Sequence, residues 1–178
     1  MAVRDLLHYD SIVHIDLVDI DPSITKLAIE RADLRQLNQS ALLSDKVTTH
    51  HLDAMKYLQQ SDLAYDVILI DLPDPNSETL SKLYSTAFYA LILRRLSKGG
   101  AFATQASSPF YSPEVFWSIA KTIETAGAEM TVPETIHVYP YHVNVPSFGE
   151  WGFVMATKHQ VDISSLEIRT PTRFLDSA

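Results

Sequence analysis

The run Tyr65-Asp66-Val67-Ile68-Leu69-Ile70 leaves a chain like this the fewest choices. A short, continuous apolar stretch of this kind belongs where helices cover both faces of a parallel sheet. It stops on Asp71. The following residues, Leu72-Pro73-Asp74-Pro75-Asn76, hold two prolines that remove donors and restrict their neighbours. They predict a loop at the carboxyl end of a strand, where α/β sheets bind their ligands.

The rest of the chain repeats the alternation. A short helix is expected over Ala2 to His8, and a strand over the β-branched Ile12 to Val18. Pro22, suited to a first helical turn, opens a predicted helix that runs to about Leu37. A strand over Val47 to Leu52, ending at Asp53, and a brief helix over Ala54 to Gln59 follow. Beyond the proline loop, the pattern predicts one helix from about Leu80 to Leu96, closed by Lys98-Gly99-Gly100, and a strand over Ala101 to Ala106. Pro113 to Ala126 reads as a helix ended by Gly127. Glu129 to Tyr139 and Trp151 to Thr157 read as two strands around a turn-rich Pro140 to Glu150. Residues 1–158 are expected to form one domain, with 159–178 a loosely packed tail.

Composition narrows the function. Of 178 residues, 46% are apolar, enough for one sizeable core. The formal charge of −8 has the wrong sign for a nucleic-acid partner and the right one for small cations. With no cysteine, disulfides, thiolate metal sites and cysteine nucleophiles are excluded. No apolar run approaches the roughly 20 residues that span a bilayer, and the first residues fit neither a signal sequence nor an acylation site, so the expected location is cytoplasmic. The 7 histidines show no helical pair with an intervening acid, and the adjacent His50 and His51 face opposite ways in a strand, so no metal is expected.

Three strands are expected to finish on acids, Asp19, Asp53 and Asp71, which a doubly wound sheet would set along one rim. Asp19 suits the acceptor of ribose hydroxyls, because a carboxylate can take both. Asp21 is better read as the cap of the helix at Pro22. Asp71 and Asp74, three apart on a stiff loop, suit a cationic amine: one orients or deprotonates a nitrogen while the other anchors an ammonium. An Asx-Pro turn, with Asp74 bonded to its own backbone, is the alternative. Tyr139, Tyr141, Phe148 and Trp151 would wall a slot for an alkyl chain, or serve as ordinary edge cover.

An ordered set of motifs then carries a resemblance. Leu17-Val18-Asp19-Ile20-Asp21-Pro22, Asp53-Ala54, Tyr65 to Pro75, Leu83-Tyr84-Ser85 with Phe88-Tyr89, Gly99-Gly100, Gln105 and Val145-Pro146-Ser147-Phe148-Gly149-Glu150-Trp151-Gly152-Phe153 occur in that order. Together they resemble the polyamine aminopropyltransferases (spermidine synthases), in wording most like the bacterial branch whose synthase domain follows a membrane region. The resemblance implies a methyltransferase-like Rossmann fold, a doubly wound α/β sheet. It implies no permanently bound cofactor, with decarboxylated S-adenosylmethionine as co-substrate and a diamine such as putrescine as acceptor. By matching positions, Asp19 would bind the ribose, Asp53 and Ala54 the adenine, and Asp71 would prepare the attacking amine. Asp74, Tyr84 and Gln105 would line the amine pocket.

The resemblance also implies parts that this sequence lacks. A Gly-Gly-Gly-Asp-Gly type motif belongs before the first βα turn, and Met1 to Leu7 resembles the helix that follows it. The expectation is a chain without the first central strand and without the family's N-terminal β-domain, with two inner sheet edges unpaired and activity impaired. Self-association, and a membrane region upstream in the gene product, are further expectations. Two other readings compete. An S-adenosylmethionine-dependent methyltransferase shares the sheet and the ribose acid, but one acting on amides would carry Asn or Asp followed by Pro-Pro-aromatic at Asp71. A non-catalytic polyamine-binding or interaction fragment is the other.

Overall fold

β-branched and apolar runs pair into two sheets, and several of the helices between them cap on acids and serines that the sequence places at their starts. The computed structural model describes residues 2–130, 132 and 134–167. The chain forms two units: one runs to Tyr57 and takes in the segment from Ile163, and the other spans Leu58–Asp162. Among the described residues, no helix is long and apolar enough to cross a membrane.

The first unit is a β-α-β arrangement. Helix α1 (Ala2–Leu6) precedes β1 (Ile15–Asp19), which pairs in parallel with β2 (Val47–His51), from Ile15 opposite Val47 to Asp19 opposite His51. Between them stand α2 (Pro22–Glu30) and α3 (Ala32–Leu37), and α4 (Ala54–Gln60) follows β2. The single helix expected from Pro22 to Leu37 is thus broken at Arg31, whose backbone is extended and whose guanidinium forks onto Asp33 in the first turn of α3. The break frees the Ala28 carbonyl, and the buried Asn38 amide takes it at 2.8 Å. The Asp16 carboxylate, within β1, is buried beside His50 Nε2 (2.7 Å) and His14 Nε2 (3.3 Å).

In the second unit, β3 (Tyr65–Ile70), β4 (Leu96–Gln105), β5 (His137–Val145) and β6 (Gly149–Thr157) form one sheet in the order β3-β4-β6-β5. β3 and β4 are parallel, and the other pairs are antiparallel. Helices α5 (Glu78–Ser81), α6 (Thr86–Arg95) and α7 (Pro113–Ala128) complete it. Phe88, Tyr89, Ile92 and Leu93 of α6 and Ile119 and Ile123 of α7 pack with Phe102, Val154 and Ala156 of the sheet into a core that excludes water. The other face of the sheet is barer: Val67 and Leu69 are 51% and 49% exposed. Among the described residues, the cover expected on both faces of β3 is therefore present on one.

Four expectations within this unit are corrected. The helix predicted from Leu80 to Leu96 is divided at Ser85, whose extended backbone and hydroxyl cap α6 through Phe88 N–H. Lys98-Gly99-Gly100 does not close that helix. It lies inside β4, in an irregularity where Tyr65 faces Leu96 and Val67 faces Ala101, while the Ser97 hydroxyl holds Asp66 at 2.9 Å. Gly127 does not end α7 either; it lies within the helix, where a side chain would run into Ile136. The segment read as a turn, Pro140 to Glu150, is mostly strand. Pro140 is tolerated because β5 has β6 as its one neighbour among the described residues, and an outer strand can spare an N–H. The earlier start expected for this strand, at Glu129, includes residues 131 and 133, outside the described residues, as are positions 168–178 of the expected tail.

Candidate active site

The second unit places its chemistry at the carboxyl end of β3. Asp71 follows the strand directly, and Asp74 stands three residues on, in a segment with no regular structure. The prolines leave this loop few internal bonds, the Asn76 N–H to the Asp74 carbonyl (2.7 Å) being one. Two buried side chains bridge to it from elsewhere. Gln105, the last residue of β4, donates from Nε2 to the Leu72 carbonyl (2.7 Å), to Asp74 Oδ1 (3.1 Å) and to the Tyr84 hydroxyl (2.6 Å). Its Oε1 accepts from the N–H of Ser107 at 3.0 Å, which fixes which way the amide faces. The Tyr84 hydroxyl donates to the Pro73 carbonyl (3.0 Å), with that of Leu72 at 3.2 Å. Burial pushes the Tyr84 hydroxyl up to about 12 against the lowering effect of the Gln105 bond, with smaller upward pushes from Asp74 and Asp71. At any physiological pH it is a neutral donor.

Beside this loop lies an open cleft of about 350 Å³. Asp71, Asp74 and Gln105 supply its polar side; Val145, Phe148, Trp151 and Phe153 supply an apolar one. The register explains the wall. Gln105 pairs with Phe153, and Val143 with Trp151, so alternate residues of β6 emerge on one face. The hairpin turn brings Phe148 within 5.4 Å of the Trp151 ring, and Gly149 makes that turn with a φ of 75°, which a side chain would strain. Gly152 lies where a Cβ would stand 2.6 Å from the Phe116 ring and 2.9 Å from the Ser107 carbonyl. This close approach lets the chain after Gln105 pack on β6, with the Gly152 N–H donating to Ser107 O at 2.6 Å.

The first unit holds the other expected site residues. Asp19 ends β1, and its Oδ1 accepts from the Asp21 N–H at 2.8 Å. Asp21 is the N-cap of α2, bonded to the Ser23 N–H at 2.8 Å, an interaction that holds its carboxyl below the usual range. Asp53 lies two residues beyond the end of β2 rather than on it. It sits just before α4, where its Oδ1 accepts from the Lys56 N–H at 3.0 Å, with Ala54 as the first helical residue. His51 Nε2 lies 2.7 Å from Thr25 Oγ1.

Asp71, Asp74 and Gln105 thus share one cleft, while Tyr84 stands behind the acidic loop with its hydroxyl on the loop's carbonyls. Of the four aromatics considered as a slot, Phe148 and Trp151 line the cleft. Tyr141 instead stacks on Phe153 at 5.5 Å, and the Tyr139 hydroxyl accepts from the Val161 N–H at 2.7 Å. Sequence reasoning missed Val145 and Phe153 as wall residues. The even spacing of Trp151 and Phe153 was the signal that would have found the second.

Comparison with known proteins agrees with this architecture. The Spermine/spermidine synthase domain family matches residues 1–165. A polyamine aminopropyltransferase of Oceanobacillus iheyensis is 41% identical over 175 residues, 98% of this chain and 33% of that protein. Polyamine aminopropyltransferase 1 of Streptomyces coelicolor is 40% identical over 181 residues, 100% of this chain and 32% of its own length. The chain therefore spans about a third of the length of these relatives. Among solved structures, a spermidine synthase in complex with the transition state analogue AdoDATO superposes with a TM-score of 0.72 at 22% identity, covering 88% of this chain and 50% of that one. The spermidine synthase of Thermotoga maritima gives 0.68 at 20% identity, with the same coverage of 88% and 50%. The fold is the methyltransferase-like α/β fold of these enzymes.

Proposed function

The chain belongs to the spermine/spermidine synthase domain family, and on that premise we propose that it transfers an aminopropyl group from decarboxylated S-adenosylmethionine to a diamine such as putrescine. One observation carries the reading: Asp71 and Asp74 share a cleft whose opposite wall is apolar and aromatic. A diamine is an alkyl chain with a cation at each end. Carboxylates hold the charge, and rings pack on the methylenes.

At neutral pH an alkylamine is protonated and cannot attack. Asp71 is assigned the proton of the incoming ammonium, so that the nitrogen lone pair points at the methylene beside the sulfonium. The N–C bond then forms as the C–S bond breaks, and the electron pair of that bond returns to sulfur, leaving a neutral thioether. Asp74 anchors the amine in register. The positioned base is worth about 10²–10⁴-fold, and alignment of nitrogen, carbon and sulfur supplies a larger share. Asp19 is assigned the ribose hydroxyls of the co-substrate through the oxygen that Asp21 does not occupy, and Asp53 with Ala54 the adenine.

The test is direct. Putrescine added to the chain is expected to change the fluorescence of Trp151, which lines the cleft, and aminopropyl transfer is followed by product formation. Asp71→Asn should lower transfer by about 10²–10⁴-fold while leaving thioether-product binding intact. Wild-type turnover by this variant, or no response of the unmodified chain to putrescine, overturns the proposal.

A further inference from the structure

We infer that Tyr84 is a positioning residue, which with the Gln105 amide clamps the loop from Leu72 to Asp74 and thereby sets the direction of the Asp74 carboxylate. The inference deepens the amine-site reading above and rests on it for its ligand, though not for the clamp itself.

A loop with prolines at alternate positions lacks the N–H groups with which most loops hold themselves. What holds this one comes from outside. The Tyr84 hydroxyl has one proton, and it goes to the loop at the Pro73 carbonyl, 3.0 Å away. Its oxygen accepts from Gln105 Nε2 at 2.6 Å. Gln105 has two amide protons and three acceptors around it, the Leu72 carbonyl at 2.7 Å, the Tyr84 oxygen and Asp74 Oδ1 at 3.1 Å. Its oxygen is occupied by the Ser107 N–H. Both side chains are therefore fully committed, and both are buried, at 8% and 5% exposure. Tyr84 has no proton left for a substrate. Asp74 Oδ2, by contrast, accepts no hydrogen bond among the described residues, so the clamp holds one carboxylate oxygen and presents the other.

Tyr84→Phe keeps the ring and removes only the hydroxyl. In the whole chain without ligand, it is expected to speed amide hydrogen exchange at Asn76, whose N–H is held by the Asp74 carbonyl, by about tenfold or more, with Phe102 in the core unchanged. Putrescine affinity should fall about tenfold. A purely structural role would not move the second readout, the pH dependence of putrescine binding. Gln105→Glu sets a second carboxyl beside Asp74, facing also Asp71 and Tyr84, so the acid limb of binding should move up by about one pH unit. Unchanged loop exchange in Tyr84→Phe, or an unmoved acid limb in Gln105→Glu, overturns the clamp. Putrescine failing to bind the wild-type chain overturns the amine reading, and exchange at the loop then decides the clamp alone.

Discussion

At the scale of single residues, the acids of the cleft were legible because β3 ends directly before Asp71 and prolines flank Asp74. Their hydrogen-bond partners were not. Asp74 alone left a self-bonded turn as an equal alternative. What distinguishes the cases is Gln105, 31 residues away in sequence and adjacent only once β3 and β4 pair. Tyr84 was picked out by its place in a motif, yet its hydroxyl faces loop carbonyls, which no spacing reveals. Its burial has a consequence for stability. Tyr84 titrates near 12 in the folded chain rather than near 10, and burial raises Tyr89 as well. Folding thus favours the protonated phenols, so their contribution is whole below pH 10 and drains away as pH climbs through 12. Urea unfolding should show little change between pH 9 and 10 and a loss of stability from pH 10 to 11, with a shallower decline in Tyr84→Phe.

Among elements, β3 was read to the residue, since an apolar run between polar flanks has one register. Helices were harder. Two of the three long ones were divided, at Arg31 and at Ser85, because a helical period continues across a single extended residue without a trace in the pattern. Ser85 did carry a signal, as a capping residue three before Phe88. The hairpin was blurred for the opposite reason: Pro140 and Gly149 look like turn residues, although only Gly149 turns the chain. Gly152 is there for space. Gly152→Ala would press a methyl group into Phe116 and the Ser107 carbonyl, and should cost about 1–3 kcal/mol. Chemical denaturation reads that loss, and the Trp117 and Trp151 emission follows the same transition. Equal midpoints for the two proteins would contradict the packing described here.

For the whole chain, charge is the property that sequence reports most faithfully, because it needs no coordinates. A formal −8 around a cleft bearing two carboxylates should draw a dication more strongly at low ionic strength. Raising salt from about 0.05 to 0.5 M is therefore expected to weaken putrescine binding several-fold, while binding of an uncharged nucleoside thioether stays nearly constant. Isothermal titration of both ligands measures the contrast. The α/β class and the family were legible along nearly the full length, since ordered motifs accumulate where single ones are weak. The division into two units was not, because nothing in composition marks the passage through α4 at Tyr57.

Pro140 reaches further than its own strand. Pairing to β6 runs through it without a break from His137 to Val145, so its missing donor falls on the outward side. A nine-residue border that would otherwise invite a foreign strand is interrupted at its fourth position. Among the described residues, that flank thus offers an incoming strand a broken row of donors.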